Sequence, residues 1–181
     1  EVEVQSGNII VESDGNLYQI NENAVNTGVI TVKRNAKLKL KDYNYWASPV
    51  SNQQLKSFSS GTVDSGFYTY NEPTDTFLKA MTMNNFIAGK GYAIRASASA
   101  PVSVTDPLAS KDFVFKGVPN NGIISIDLAR SSTGNGYNLV GNPYPSNLDL
   151  NQLYSDNAAE ITGTYYFWTN INPNPAMQGA N

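Results

Sequence analysis

Aromatic side chains in this sequence cluster beside asparagine and aspartate. The runs "YNYW" (43–46), "GFYTYN" (66–71) and "TYYFWT" (164–169), and Tyr144 inside "GNPYPS", set flat rings next to amides and carboxylates. That combination is the chemistry of sugar recognition, in which a ring covers the apolar C–H face and an amide bonds the hydroxyls. Strand geometry divides the rings, because successive side chains point to opposite faces. Tyr43 and Tyr45 share one face and Trp46 takes the other, while Tyr166 and Trp168 oppose Tyr165 and Phe167. About half of the rings are therefore expected in the core. Tyr144, Trp168 and Tyr45 are the candidate ligand-binding residues.

The acidic residues do not form a catalytic or metal-binding motif along the chain. Asp42, Asp64, Asp75, Asp106, Asp112 and Asp149 are scattered and stand mostly at turn borders, where aspartate bonds the local backbone. Calcium takes about six to eight oxygens, and no compact "DxDxDG" loop occurs, so a calcium site would have to be assembled from distant loops. Any metal ligands stay unassigned. The chain contains neither cysteine nor histidine, which excludes disulfides, the usual zinc sites and Ser-His or Cys-His nucleophile pairs. A glycosidase would need two carboxylates brought across a cleft. No catalytic residue is assigned, and a non-catalytic protein is expected.

The elements that must position these rings are strands. "NIIVES", "GVITVKR", "KLKLK", "FYTYN", "YAIRA", "FVFKG", "IISIDL" and "TYYFW" alternate with period two and are bounded by Gly, Asn, Pro or Asp. The pattern predicts an all-β fold: a mainly antiparallel β-sandwich with a short solenoid-like or meander N-terminal leader and one short helix. That helix is "SNLDLNQLYSDN", with Ser146 or Asn147 as cap and Leu150, Leu153 and Tyr154 turned inward. The expected core includes Ile30, Val32, Trp46, Val50, Phe86, Ile94, Phe113, Phe115, Ile124, Ile126, Leu139, Val140 and Phe167.

Residues 1–34 read as the leader, with short aliphatic strands and turns "SGN", "SDGN" and "NTG"; a parallel solenoid coil and a plain meander both fit. Residues 35–181 read as the sandwich module, and an internal echo divides it. "YNYWASP" (43–49) matches "YNLVGNP" (137–143) in the order aromatic, Asn, two large apolar residues, a small one, a polar one, proline. "GFYTYN" and "TYYFWT" follow at similar distances. The first repeat unit covers about 42–130 and a partial second one about 136–169. Proline ends a strand and fixes its exit direction, so "GNPYPS" is read first as a strand-to-helix corner, with Tyr144 as its outward contact.

The composition gives a formal charge of −3 and a pI of about 4.8. Nucleic acid is not an expected partner: "KLKLK" would put its lysines on one exposed strand face over Leu38 and Leu40, an ordinary half-buried strand in an acidic chain. Nothing approaches the roughly 20 apolar residues of a membrane helix, and no membrane insertion is expected. "EVEV" at residues 1–4 already alternates like a strand, so the chain reads as a piece of a longer protein with further domains. "NINPNPAMQGAN" at 170–181 reads as loop.

In this order, "GVITVKR", "DYNYWASPV", "GKGYAIRA", "FKGVPNNGIISIDL", "YNLVGNPYPSNLDL" and "TYYFWT" resemble large cell-surface proteins of Flavobacteria and related Bacteroidetes. The resemblance runs from about Asn8 to Thr169, and "YNLVGNPYPS" is its most specific part. It implies secreted, adhesin-like proteins with repetitive solenoid-like regions and a C-terminal sorting domain read by the type IX secretion system; no sorting domain is visible in this sequence. The implied location is extracellular, at the bacterial cell surface. The expected function is that of a non-catalytic adhesin-like module contacting polysaccharide or other surface components. The alternative is a structural spacer or cap of a larger surface protein, without a ligand of its own.

Overall fold

The computed structural model describes residues 1–103 and 105–169; the loop expected at 170–181 lies outside the described residues. Seven strands are found among them: β1 (Ile10–Val11), β2 (Ile30–Lys37), β3 (Tyr43–Trp46), β4 (Phe67–Asn71), β5 (Thr76–Lys79), β6 (Tyr92–Arg95) and β7 (Ser110–Gly117). Two short helices accompany them, α1 (Leu55–Phe58) and α2 (Leu150–Asp156). The fold is mainly β, in two sheets, one in the order β1-β2-β7 and the other β3-β6-β4-β5.

In the first sheet β2 and β7 pair antiparallel along their whole length, from Ile30 opposite Gly117 to Lys37 opposite Ser110. Their alternation puts Ile30 and Val32 on the inner face with Phe113 and Phe115, all buried. β1 lies parallel to β2, with Ile10 opposite Thr31 and Val11 opposite Val32, and Glu3 bridges Thr27 in the same sense. Parallel pairing requires the chain to travel round and return in the same direction, so residues 1–30 form a coil rather than an antiparallel hairpin. β2 runs through residue 34 without a break. Residues of the expected leader and of the expected module thus contribute to one strand and one sheet.

The second sheet is antiparallel throughout. Its inner face carries Trp46, Phe67, Tyr92 and Ile94, which join the same buried cluster as Ile30, Val32, Phe113 and Phe115 of the first sheet. The Trp46 ring meets Phe113 at a centroid distance of 4.5 Å and Phe115 at 6.3 Å. α1 supplies Leu55 and Phe58 at helical spacing, and Phe58 stacks on Phe115 at 4.3 Å. Edge-on and offset contacts of this kind add about 0.5–1.5 kcal/mol per pair to the burial itself.

Several expectations are corrected. The sequence points to one helix, and α1 is a second; its four residues are too few to leave a periodic signature. α2 is capped by Asp149, whose side chain accepts from the N–H groups of Asn151 and Gln152, and not by Ser146 or Asn147. No α2 residue is buried, and Tyr154 is exposed. "IISIDL" and "TYYFW" alternate as expected but make no ladder among the described residues, and Val140 makes one isolated bridge, to Lys90. Consequently Ile124, Ile126 and Leu139 are only half-buried, and Val140 and Phe167 are exposed. Alternation encodes two faces, but burial requires a neighbouring strand and a covering layer.

Candidate functional site

The two echoing stretches make the same local turn. The N–H of Val50 donates to Ser48 Oγ at 3.3 Å, and the N–H of Tyr144 donates to Asn142 Oδ1 at 2.9 Å, each two residues beyond the polar residue that precedes proline. One side chain ties both corners together. Asn120 Nδ2 donates to the Ser48 carbonyl at 3.3 Å and to the Pro143 carbonyl at 2.9 Å. Ring geometry repeats as well: Tyr43 meets Tyr68 edge-on at 5.9 Å, and Tyr137 meets Tyr166 edge-on at 5.5 Å. "GNPYPS" is thus a corner whose polar groups serve the backbone. Asn142 Nδ2 donates to the Ser146 carbonyl, and Pro145 is fully buried.

The outer face of the second sheet is aromatic because of strand register. Tyr45 stands opposite Ala93, Ala93 opposite Tyr68, and Tyr70 opposite Phe77, so these side chains project from the side away from Trp46 and Ile94. Tyr45 contacts Phe77 at 6.1 Å, and Phe77 contacts Tyr70 at 5.4 Å. Trp168 lies over Tyr45, with centroids 5.7 Å apart and planes inclined by 28°. Its indole Nε1 donates to the Tyr43 carbonyl at 2.9 Å. Trp168 is 49% exposed, so part of its surface faces solvent.

β3 lies at the edge of this sheet, and a cleft of about 340 Å³ runs beside it. Asn44, Tyr45, Trp46 and Ala47 form one wall, Arg34 and Asn35 of β2 another, and Gly141, Asn142 and Tyr144 of the second corner the third. The three residues singled out in the sequence are therefore neighbours: Tyr45 and Tyr144 line one cleft, and Trp168 stacks on Tyr45. Tyr144 is not the free outward contact expected. It is half-buried, and its hydroxyl donates to the Gly122 carbonyl at 2.6 Å. Burial raises the phenol pKa of both Tyr45 and Tyr144.

Sequence reasoning missed Glu72, Asn120 and Arg34. Glu72 is buried, accepting from the N–H groups of Ser131 and Gly136 at 2.9 Å each. Burial pushes its pKa up, but the bonds from Gly136 and Ser131, helped by the Arg130 charge, outweigh that and hold it below the ordinary value. Each of these roles depends on a partner far along the chain, which local composition does not signal. Among the described residues no group of three or more Asp or Glu gathers to hold a metal ion, and no helix is long and apolar enough to cross a membrane.

The structure is that of a mainly-β chain with an aromatic cleft along one sheet edge. The chain belongs to the family described as Domain of unknown function (DUF8693), whose model matches residues 1–180. Neither a curated protein nor a solved structure matches it.

Proposed function

We propose that this chain is a non-catalytic, adhesin-like module of a secreted bacterial surface protein, in which two sheets stacked as a mainly antiparallel sandwich present an aromatic edge to polysaccharide. The observation that carries this reading is that Tyr45, on which Trp168 stacks, lines the β3 cleft together with half-buried amides and a phenol. A sugar ring resting on such a surface covers its C–H face, and the nearby amides bond its hydroxyls. The resemblance to Bacteroidetes surface proteins supports an extracellular location and export by the type IX route.

The test is a glycan array and an insoluble-polysaccharide pull-down with the purified chain, in calcium and again with chelator. Binding that is lost in Trp168→Ala while the fold is kept supports the reading; chelator sensitivity adds calcium. Absence of binding under both conditions overturns it in favour of a structural spacer. The parallel pairing of β1 with β2 favours that second reading, because a coil of this kind can stack on a preceding coil of a longer stalk.

A further inference from the structure

Arg34 sits on β2 in register with Phe113, on the same strand face as Ile30 and Val32, and it lines the β3 cleft. The rest of that face on β2 is apolar, and Lys111 of β7, opposite Ala36, is the other charge on the sheet face, so a charge beside Phe113 needs a reason. Arg34 Nη1 donates to the carbonyls of Lys33 at 2.9 Å and Glu12 at 3.5 Å. The carboxylate of Glu12 is turned to Lys33 instead, at 3.0 Å. Among the described residues Arg34 has no ion-pair partner, and none of the residues lining the cleft is acidic.

Two further donors, on the β3 wall of the same cleft, are unused among the described residues. Trp46 Nε1 is buried without a hydrogen-bond partner, and the half-buried Asn44 amide makes no hydrogen bond among the described residues. A half-buried guanidinium with free N–H groups, in a cleft that also holds an unused amide, is a receptor for a planar carboxylate, which it grips through two parallel bonds. The second cleft of the molecule, about 520 Å³ beside β7, differs in holding Asp112 together with Lys111 and Lys116. Its charges offset one another, whereas the charge of the β3 cleft has one sign.

We infer that the β3 cleft takes an acidic sugar residue of a polysaccharide, a uronic acid whose carboxylate meets Arg34 and whose ring lies against Tyr45. This rests on the polysaccharide-binding reading above and narrows it to one ligand class. Because the chain as a whole is negatively charged, attraction comes from the local cation and weakens as salt rises.

The experiment is a calorimetric titration of the full chain with oligogalacturonate, a neutral cello-oligosaccharide of equal length and a sulfated oligosaccharide, at low and high salt. The expected result is oligogalacturonate binding about tenfold tighter than the neutral probe, a preference lost at high salt and in Arg34→Gln. Asn44→Asp, which adds a carboxylate to the lining of the same cleft, is the second variant; it should abolish the acidic preference even if Arg34→Gln fails to fold. Equal binding of acidic and neutral probes overturns the uronate inference and leaves the polysaccharide reading standing. No binding of any probe overturns both. Acidic binding unchanged in both variants, or a sulfated probe held as tightly as the uronate, also overturns it.

Discussion

Glu72 Oε1 accepts the backbone N–H of Gly136 at 2.9 Å, which fastens the turn between β4 and β5 to the start of the second echoing stretch. The attachment is reinforced by Asn135 Nδ2 donating to Asp75 at 2.6 Å and Thr133 Oγ1 donating to the Pro73 carbonyl at 2.9 Å. Since the folded pKa of Glu72 lies below the ordinary value, its contribution is fully present above about pH 4.3 and is lost as pH falls through the lowered folded value. Hydrogen exchange at residues 131–136 should therefore accelerate in acid before the β2–β7 ladder opens. Glu72→Gln should show the fast exchange already at neutral pH. Uniform protection of both regions down to the same pH would contradict this.

The centre of the core is Phe115, which is fully buried and contacts the rings of Trp46, Phe58 and Phe86. Phe115→Ala should cost about 3–5 kcal/mol in urea unfolding, by lost transfer and by the cavity left behind. Trp46→Phe should cost distinctly less, since it also removes an indole N–H that has no partner among the described residues. Equal losses for the two variants would mean that the indole nitrogen has a partner in solution.

The N-terminal coil depends on one close approach. Gly28 has φ +80°, and a side chain there would collide with the carbonyl of Val4. Gly28→Ala combines backbone strain with that clash, and a loss on the order of 1–3 kcal/mol is expected, concentrated in residues 1–28. Limited proteolysis should release the N-terminal coil from this variant first. A variant as resistant as the parent would show that the coil tolerates a shifted Val4.

Trp168 and Tyr144 should separate binding from stability. Trp168→Ala removes a half-exposed ring and should leave the urea midpoint nearly unchanged while costing at least about 1 kcal/mol of polysaccharide binding. Tyr144→Phe deletes the bond to the Gly122 carbonyl and should cost about 0.5–1.5 kcal/mol of stability, with little effect on binding. The reverse pattern would transfer the ligand-contacting role to the Tyr144 hydroxyl.

Much of the architecture is legible without coordinates. Period-two alternation assigns Ile30 and Val32 to one face, Phe113 and Phe115 likewise, and Trp46 and Tyr45 to opposite faces, and each pair stands as the pattern requires. The corner nature of "GNPYPS" follows from proline and asparagine chemistry, and so does a helix beyond it. "IISIDL" carries an equally clear alternation and yet forms no ladder, because the pattern specifies faces and says nothing of a partner.

The kind of element and the face each side chain takes can therefore be read from the residues alone, since both follow from the local geometry of extended backbone. Which strands are neighbours, that Tyr45 lines a cleft with Tyr144 and stacks on Trp168, and that Glu72, Asn120 and Arg34 matter emerge only on folding. Hydrogen-bond partners and buried charges are defined by residues distant in the chain. Asn120 pins two corners, and Arg34 lines a cleft without an ion-pair partner among the described residues, only after the sheets have come together.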